Sequence, residues 1–248
     1  MKGPIVLLTD FGTHDSFVGV LKGVLCGLAP KARLIDLCHG VPPQDIRHAA
    51  LQLRAAVPFF PKGSLFVSVV DPGVGSDRRI IWARTARHQF LAPDNGLLSW
   101  IGEPVLETRS VENRKLFLPQ VSGTFHGRDI FAPVAARLWN GLKPSALGPL
   151  CRKIELIPFP EPKTIGKRTV GTILAFDRYG NAITNLTETN KALFYKKKRL
   201  GVIRRNYDDG HAKEPFPVLG SDGLIEVSLK LDNFRTKYNA RVGDSIEF

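Results

Sequence analysis

The sequence predicts an α/β protein with two domains. The N-terminal domain has a mostly parallel sheet flanked by helices, and a smaller all-β barrel domain follows it. Three observations predict this class. Roughly the first 150 residues alternate short apolar runs with helical periodicity, as repeated β-α-β units do. Pro158, Pro160 and Pro162 then disfavour both helix and strand. Beyond these prolines, short β-rich runs recur between turn sequences.

The elements of the first domain, residues 1–157, are predicted from periodicity. Residues 4–9 form a continuous apolar run, which is typical of a strand buried on both faces. Residues 15–29 repeat apolar side chains every three or four positions and stop at Pro30, so they predict a helix. The remaining predictions are strands at 33–38, 64–70, 79–84 and 89–92, and helices at 43–57 and about 128–139.

The proline-rich segment 158–165 is interpreted as a linker, and residues 166–248 as the barrel domain. Turn sequences such as Tyr179-Gly180-Asn181 and Ser221-Asp222-Gly223 separate the β-rich runs. These runs are predicted at 168–176, 199–205, 224–231 and 241–248.

Composition excludes several classes of protein. No apolar run approaches the ~18 residues that a membrane helix needs. Residues 1–5 lead straight into the first strand, so no export signal is expected. The three cysteines are far apart and have no CxxC spacing, which favours a reducing cytoplasm over a disulfide framework or a zinc site.

The chain is basic, with 35 Lys and Arg against 23 Asp and Glu and a net charge of +12. The densest stretch is 196–199, followed by Arg204 and Arg205. Such a surface attracts nucleic acid without specificity, but no RNA-binding signature accompanies it. A nucleic-acid partner is therefore not expected.

Polar clusters follow the first three predicted strands. They are Thr9-Asp10-Phe11-Gly12, Cys38-His39-Gly40 and the segment from Asp71 to Arg78. The carboxyl ends of parallel strands meet at one edge of a sheet, where α/β proteins bind ligands. A further cluster, Gly123 to Asp129, has small glycines on both sides of His126, and the second domain adds Asp177 to Asn181.

Other site types lack their signatures. The loop Gly73-Val74-Gly75 has neither the glycine spacing nor the lysine of a phosphate-binding loop. No zinc-ligand spacing and no G-x-S-x-G nucleophile motif occur, so no metal is expected. A Ser–His–Asp hydrolase could be drawn from Ser122, His126 and Asp71, although no local motif supports it.

Taken together, these clusters resemble one family, the S-adenosyl-L-methionine (SAM) hydroxide adenosyltransferases, which are related to the fluorinases and chlorinases. Six motifs carry the resemblance in order. They are Thr9-Asp-Phe-Gly12, Asp36-Leu-Cys-His39, Val70-Asp-Pro-Gly-Val-Gly75, Ala92-Pro-Asp-Asn-Gly-Leu-Leu98, Thr124-Phe-His-Gly-Arg-Asp129 and Asp177-Arg-Tyr-Gly-Asn181.

The resemblance implies hydrolysis of SAM to adenosine and L-methionine by attack of water or hydroxide on ribose C5′. It implies no cofactor, since SAM is the substrate. It also implies a homotrimer whose active sites lie between subunits.

The family's water-activating set falls on Asp71, Arg78 and His126, and the sequence leaves open whether Asp71 or His126 is the formal base. The other residues that match the family's substrate site are Asp10 for the ribose hydroxyls, Asn181 and Tyr207 for the adenine, and Ser16, Asp177 and Ser221 for the methionine. Halide-using relatives do not carry the Asp–Arg–His set, and a carboxylate would repel a dehydrated halide. Water is therefore the expected nucleophile.

Three features depart from the family pattern: His14, Asp222 beside Ser221, and the bulky, charged segment 230–235. They fall in the expected adenine and methionine pocket. The main alternative is a non-catalytic SAM- or adenosine-binding protein on the same fold. A halogenase and a nucleic-acid-binding module are further alternatives.

Overall fold

The computed structural model describes residues 2–211 and 213–248, so Met1 and Ala212 lie outside the described residues. The chain divides into two compact units, Met1–Pro158 and Phe159–Phe248. Among the helices in the described part of the chain, none is long and apolar enough to cross a membrane.

The first unit is built around one mixed sheet. Its elements are β1 (Ile5–Thr9), α1 (Phe17–Leu28), β2 (Leu34–Cys38), α2 (Ile46–Ala56), β3 (Leu65–Val69), β4 (Ile80–Arg84), β5 (Gln89–Pro93), β6 (Glu107–Ser110) and α3 (Ala132–Asn140). The strand order is β2-β1-β3-β5-β4-β6. The sheet is parallel from β2 through β5, and β4 runs antiparallel to both of its neighbours. The four residues between β4 and β5 are too few for a parallel crossover, which explains this reversal.

Alternate residues of β1 face opposite sides of the sheet, and both sides are covered. Ile5 and Leu7 join the core cluster that contains buried residues of α1 and α3. Val6 and Leu8 join the cluster that contains buried residues of α2. A strand buried on both faces requires the continuous apolar run seen in the sequence. The predicted α/β class is confirmed.

The last helix of this unit departs from the prediction at its start. Residues Gly127–Phe131 form a π-helical turn that leads into α3. Pro133 has no N–H for the carbonyl of Asp129, and the backbone N–H of Leu118 donates to that carbonyl instead, at 2.9 Å. The apolar periodicity of residues 128–139 predicts a helix, and a helix is present. Periodicity does not reveal that the helix is preceded by a π-helical turn.

The second unit is an antiparallel sheet that nearly closes on itself. Its elements are β7 (Lys163–Ile165), β8 (Arg168–Phe176), β9 (Ala182–Thr184), β10 (Leu193–Tyr195), β11 (Lys198–Gly201), β12 (Pro215–Leu219), β13 (Ile225–Leu229), α4 (Phe234–Lys237) and β14 (Ser245–Glu247). The strand order is β11-β10-β14-β8-β9-β13-β12, with β7 beside β8. A bridge between Arg204 and Val218 brings the two edges together. The predicted barrel class is confirmed, although the predicted strand at 199–205 ends at Gly201.

Candidate active site

Arg78 joins Asp71 and His126 at the carboxyl end of β3. Its Nε donates to the two carboxylate oxygens of Asp71 at 2.9 and 2.8 Å, and its Nη2 donates to Oδ2 as well. The same Nη2 donates to Nδ1 of His126 at 2.9 Å. The Asp71 side chain is 5% exposed and that of Arg78 12%. The three groups expected from the resemblance therefore lie in direct contact.

This contact determines the protonation of His126. A guanidinium has only donors, so Nδ1 must be the acceptor, and the neutral ring carries its proton on Nε2. Burial chiefly lowers the pKa of His126, and the positive charge of Arg78 lowers it further, while Asp71 and Asp129 raise it by less. The ring is consequently neutral at neutral pH.

A close approach between two loops holds these groups together. Gly75 has a φ of +82°, and a Cβ at this position would collide with the carbonyl oxygen of Gly123. The loop that carries Asp71 and Arg78 can thus rest directly on the loop that precedes His126. Glycine is required at position 75 for both its conformation and its size.

Asp129 organises the loop before His126 from within the core. Its carboxylate is 1% exposed and accepts hydrogen bonds at 2.8 Å from both the backbone N–H and the hydroxyl of Ser122. Burial raises the pKa of Asp129, but hydrogen bonds from Arg128 and Ser122 outweigh it and hold the pKa below its usual value. Since the Ser122 hydroxyl is bound to Asp129, it is not arranged as the nucleophile of a Ser–His–Asp hydrolase.

Asp10 shares a cavity with this cluster. The cavity has a volume of about 210 Å³, and its polar lining includes Asp10, Asp71 and His126. One oxygen of Asp10 accepts the backbone N–H of Gln44 at 2.8 Å. The polar lining of the cavity therefore combines two carboxyl groups with a neutral imidazole.

Three phenylalanines supply the apolar wall of the cavity. Phe11, Phe17 and Phe125 line it and contact one another, with ring centroids 5.2 to 6.0 Å apart. Gly127 leaves room for the Phe11 ring, since a Cβ there would come within 3.1 Å of it. Ser16 is exposed at the start of α1 and is not part of the lining.

The second unit has a separate cavity of about 870 Å³, which Asp177, Asn181 and Tyr207 line together. Asp177 Oδ1 accepts the backbone N–H groups of Tyr179 and Asn181 at 2.9 and 2.8 Å. Its Oδ2 accepts the Asn181 side-chain amide at 2.8 Å. Ser221 is exposed and does not line this cavity.

Glu226 is a partner that sequence reasoning missed. The Tyr207 hydroxyl donates to Glu226 Oε2 at 2.6 Å. Burial, followed by this hydrogen bond, raises the pKa of Tyr207, so the phenol stays protonated. Burial also raises the pKa of Glu226, and nearby Asp177 and Asp222 add to this effect, which outweighs the lowering by the hydrogen bond from Tyr207. The sequence offers one signal for this residue, because Glu226 is the single carboxylate in the predicted β-rich run 224–231.

The described residues contain no group of three or more His, Cys, Asp or Glu side chains that could hold a metal ion. The polar side chains that line the two cavities take part in hydrogen bonds and ion pairs.

Comparisons with known proteins match both units to one family. A family model described as the SAM hydroxide adenosyltransferase N-terminal domain matches residues 5–148, and its C-terminal counterpart matches residues 171–247. The (R)-S-adenosyl-L-methionine hydrolase of Thermus thermophilus is 39% identical over 97% of each chain. A fluorinase of Actinoplanes is 27% identical over 96% of this chain and 95% of its own. A crystal structure from Thermotoga maritima, described as an uncharacterized conserved protein, has a TM-score of 0.90, 33% identity and 98% coverage of both chains.

Proposed function

Because the chain belongs to the SAM hydroxide adenosyltransferase family and is a SAM hydrolase, we propose that Asp71, Arg78 and His126 prepare the water that attacks ribose C5′. The products are adenosine and L-methionine. The observation that carries the proposal is the direct contact of these three groups beside a cavity that Asp10 also lines.

The substrate supplies its own leaving group. As the water oxygen bonds to C5′, the C5′–S bond breaks, its electron pair goes to sulfur, and methionine departs as a neutral thioether. No acid is needed at sulfur and no cofactor is required, whereas one proton must leave the water. The enzyme's task is to align the water opposite sulfur and to accept that proton.

The hydrogen-bond pattern divides this task between the two candidate bases. Arg78 occupies the lone pair of His126 Nδ1, so the neutral ring has only an N–H donor left, at Nε2. A ring in this state cannot take the proton of the water, and its N–H has a hydrogen-bond partner in the backbone of Ser122. The Asp71 carboxylate has four lone-pair positions and keeps acceptor capacity beyond the Arg78 bonds. We assign the proton to Asp71.

The binding roles of Asp10, Asp177, Asn181 and Tyr207 are supported by the two cavities that they line, whereas those of Ser16 and Ser221, which line neither cavity, rest on the family resemblance alone. Asp10 has one carboxylate oxygen bound to Gln44 and would hold the ribose hydroxyls through the other. Asn181 and Tyr207 would contact the adenine, and Ser16, Asp177 and Ser221 the methionine. The hydrolase relative is named for the (R) epimer of SAM, and we propose the same epimer for this chain.

A homotrimer with active sites between subunits completes the proposal, and the surface of α1 supports association. Its glycines 19, 23 and 27 recur every four residues and have open space where a Cβ would stand. Around them, Phe17, Val20 and Leu28 are 44%, 37% and 38% exposed. Exposed apolar side chains beside small residues on one helix are typical of a contact surface. Light scattering should give the mass of a trimer, and Val20→Glu should lower both that mass and the activity. A fully active monomer would contradict this part of the proposal.

The reaction itself is tested by incubating the protein with a mixture of the two sulfonium epimers. We expect equal amounts of adenosine and L-methionine, formed from one epimer only. SAM binding without any product would indicate the non-catalytic alternative. A 5′-halo-5′-deoxyadenosine formed in the presence of chloride or fluoride would instead identify a halogenase, the function of the fluorinase relative.

A further inference from the structure

A row of polar groups, buried only at its inner end, leads to the turn that carries Asp10. Thr9 and His39 are only 1% and 8% exposed, and Thr9 Oγ1 lies 2.8 Å from His39 Nδ1. His39 Nε2 lies 3.1 Å from Asp36 Oδ1, and Lys22 donates to the other oxygen of Asp36 at 2.6 Å. The row runs from the surface of α1 through β2 to the end of β1.

The outer end of this row is an ion pair, and its inner end is a buried hydrogen bond. Burial raises the pKa of Asp36, but Lys22 and His39, which face the carboxylate, outweigh it and hold the pKa below its usual value, so the carboxylate is charged. At the inner end, the Thr9 hydroxyl and His39 Nδ1 are hydrogen-bonded to each other, and the Thr9 oxygen keeps a lone pair for a further donor.

Both sides of Asp10 are tied to this row. Thr9 Oγ1 accepts the backbone N–H of Phe11 at 3.2 Å, and the backbone N–H of Gly12 donates to the carbonyl of His39 at 2.8 Å. Asp10 is the residue between Thr9 and Phe11. The position of its carboxylate consequently depends on a hydroxyl that His39 holds in place by a hydrogen bond.

We propose that His39 and Thr9 are positioning residues that hold Asp10 for the ribose of the substrate, an inference that rests on the proposed function. Packing alone does not account for the Thr9 hydroxyl, because β1 is otherwise apolar and a buried hydroxyl must be desolvated. Valine has the same shape and would fill the position without that cost. The hydrogen bond that the hydroxyl makes with the turn explains why threonine occupies this position.

The test compares two substrates, SAM and its 2′-deoxyribose analogue. Thr9→Val should raise the KM for SAM about tenfold and leave kcat within about threefold, because it weakens binding of a part of the substrate that does not react. The preference of the enzyme for SAM over the analogue should fall by the same factor. A merely structural role would lower the active fraction and reduce turnover of both substrates equally.

The matched control is Thr85→Val, a second threonine with a buried, hydrogen-bonded hydroxyl, 2% exposed, in a turn between β4 and β5. It should lower the melting temperature without changing the substrate preference. His39→Asn retains a hydrogen-bonding group near Nδ1 and should keep the preference, whereas His39→Gln withdraws that group from Thr9 and should lose it. If Thr9→Val does not fold, the two His39 variants provide the same comparison.

A double-mutant cycle with Asp10→Ala shows whether Thr9 acts through Asp10. In the Asp10→Ala background, Thr9→Val should cost no further preference. The inference is overturned if Thr9→Val keeps the full preference, or if its effect adds to that of Asp10→Ala. An unmodified protein that releases no adenosine from SAM would instead overturn the proposed function, so the two failures are distinct.

Discussion

Replacing Asp71 with asparagine removes the group to which we assign the proton of the attacking water, while its shape stays nearly the same. The Asn side chain has one acceptor oxygen, and the donors of Arg78 will orient that oxygen toward themselves. The remaining NH₂ then donates toward the cavity, where the carboxylate had accepted. The water loses both its proton acceptor and its orientation.

The expected size of the effect on kcat follows from the burial of Asp71 and from its assigned role as the proton acceptor. The Asp71 side chain is 5% exposed, so bulk water cannot replace it as a proton acceptor. General-base assistance is worth about 10²–10⁴-fold in rate, or ~3–5 kcal/mol of activation free energy. We expect kcat to fall by this amount and the KM for SAM to change little, since the carboxylate acts on the water.

The assay is adenosine release at saturating SAM, normalised to the folded fraction because Arg78 loses its buried partner. Asp77→Asn is the matched control, since Asp77 lies exposed in the same loop and the change removes the same charge. It should retain full activity. A kcat within a few-fold of the unmodified enzyme for Asp71→Asn would refute the assigned role of Asp71.

Three other outcomes are expected. Because burial and Arg78 lower the pKa of His126, the decline of kcat/KM at low pH should have its midpoint below the ordinary histidine value of about 6.5; a midpoint above pH 7 would contradict a neutral ring. Asp129→Ala leaves a buried backbone N–H without its acceptor and should lower the free energy of unfolding by about 1–3 kcal/mol, measured by urea denaturation; a change under 0.5 kcal/mol would argue against its organising role. Gly75→Ala should separate two packed loops and reduce kcat together with the melting temperature, whereas Gly102→Ala, at another positive φ with open space around it, should affect only the melting temperature.

The sequence predicted the first unit well because its signals are local. A strand buried on both faces needs an unbroken apolar run, and β1 has one. The position of Asp71 directly after the predicted third strand placed it at the ligand-binding edge of the sheet, whereas its pairing with Arg78 was implied by the family resemblance. The antiparallel course of β4 was missed, since apolar periodicity identifies a strand but not its direction.

Contacts between distant segments could not be predicted in the same way. The Tyr207–Glu226 hydrogen bond joins residues from different parts of the second unit, and periodicity says nothing about such pairing. The row from Asp36 to Thr9 depends on β1 and β2 being neighbours with a particular register. The sequence showed Asp36 and His39 as a motif, but their role became visible only when Thr9 was seen to contact His39.

Isotope labelling tests the central claim most directly. The enzyme is given SAM in water enriched in ¹⁸O, and both products are analysed by mass spectrometry. Attack at C5′ predicts one ¹⁸O atom in the 5′-hydroxyl of adenosine and none in L-methionine. Release of 5′-methylthioadenosine with labelled homoserine, or of unlabelled adenosine, would show that water does not attack the carbon to which Asp71, Arg78 and His126 are assigned.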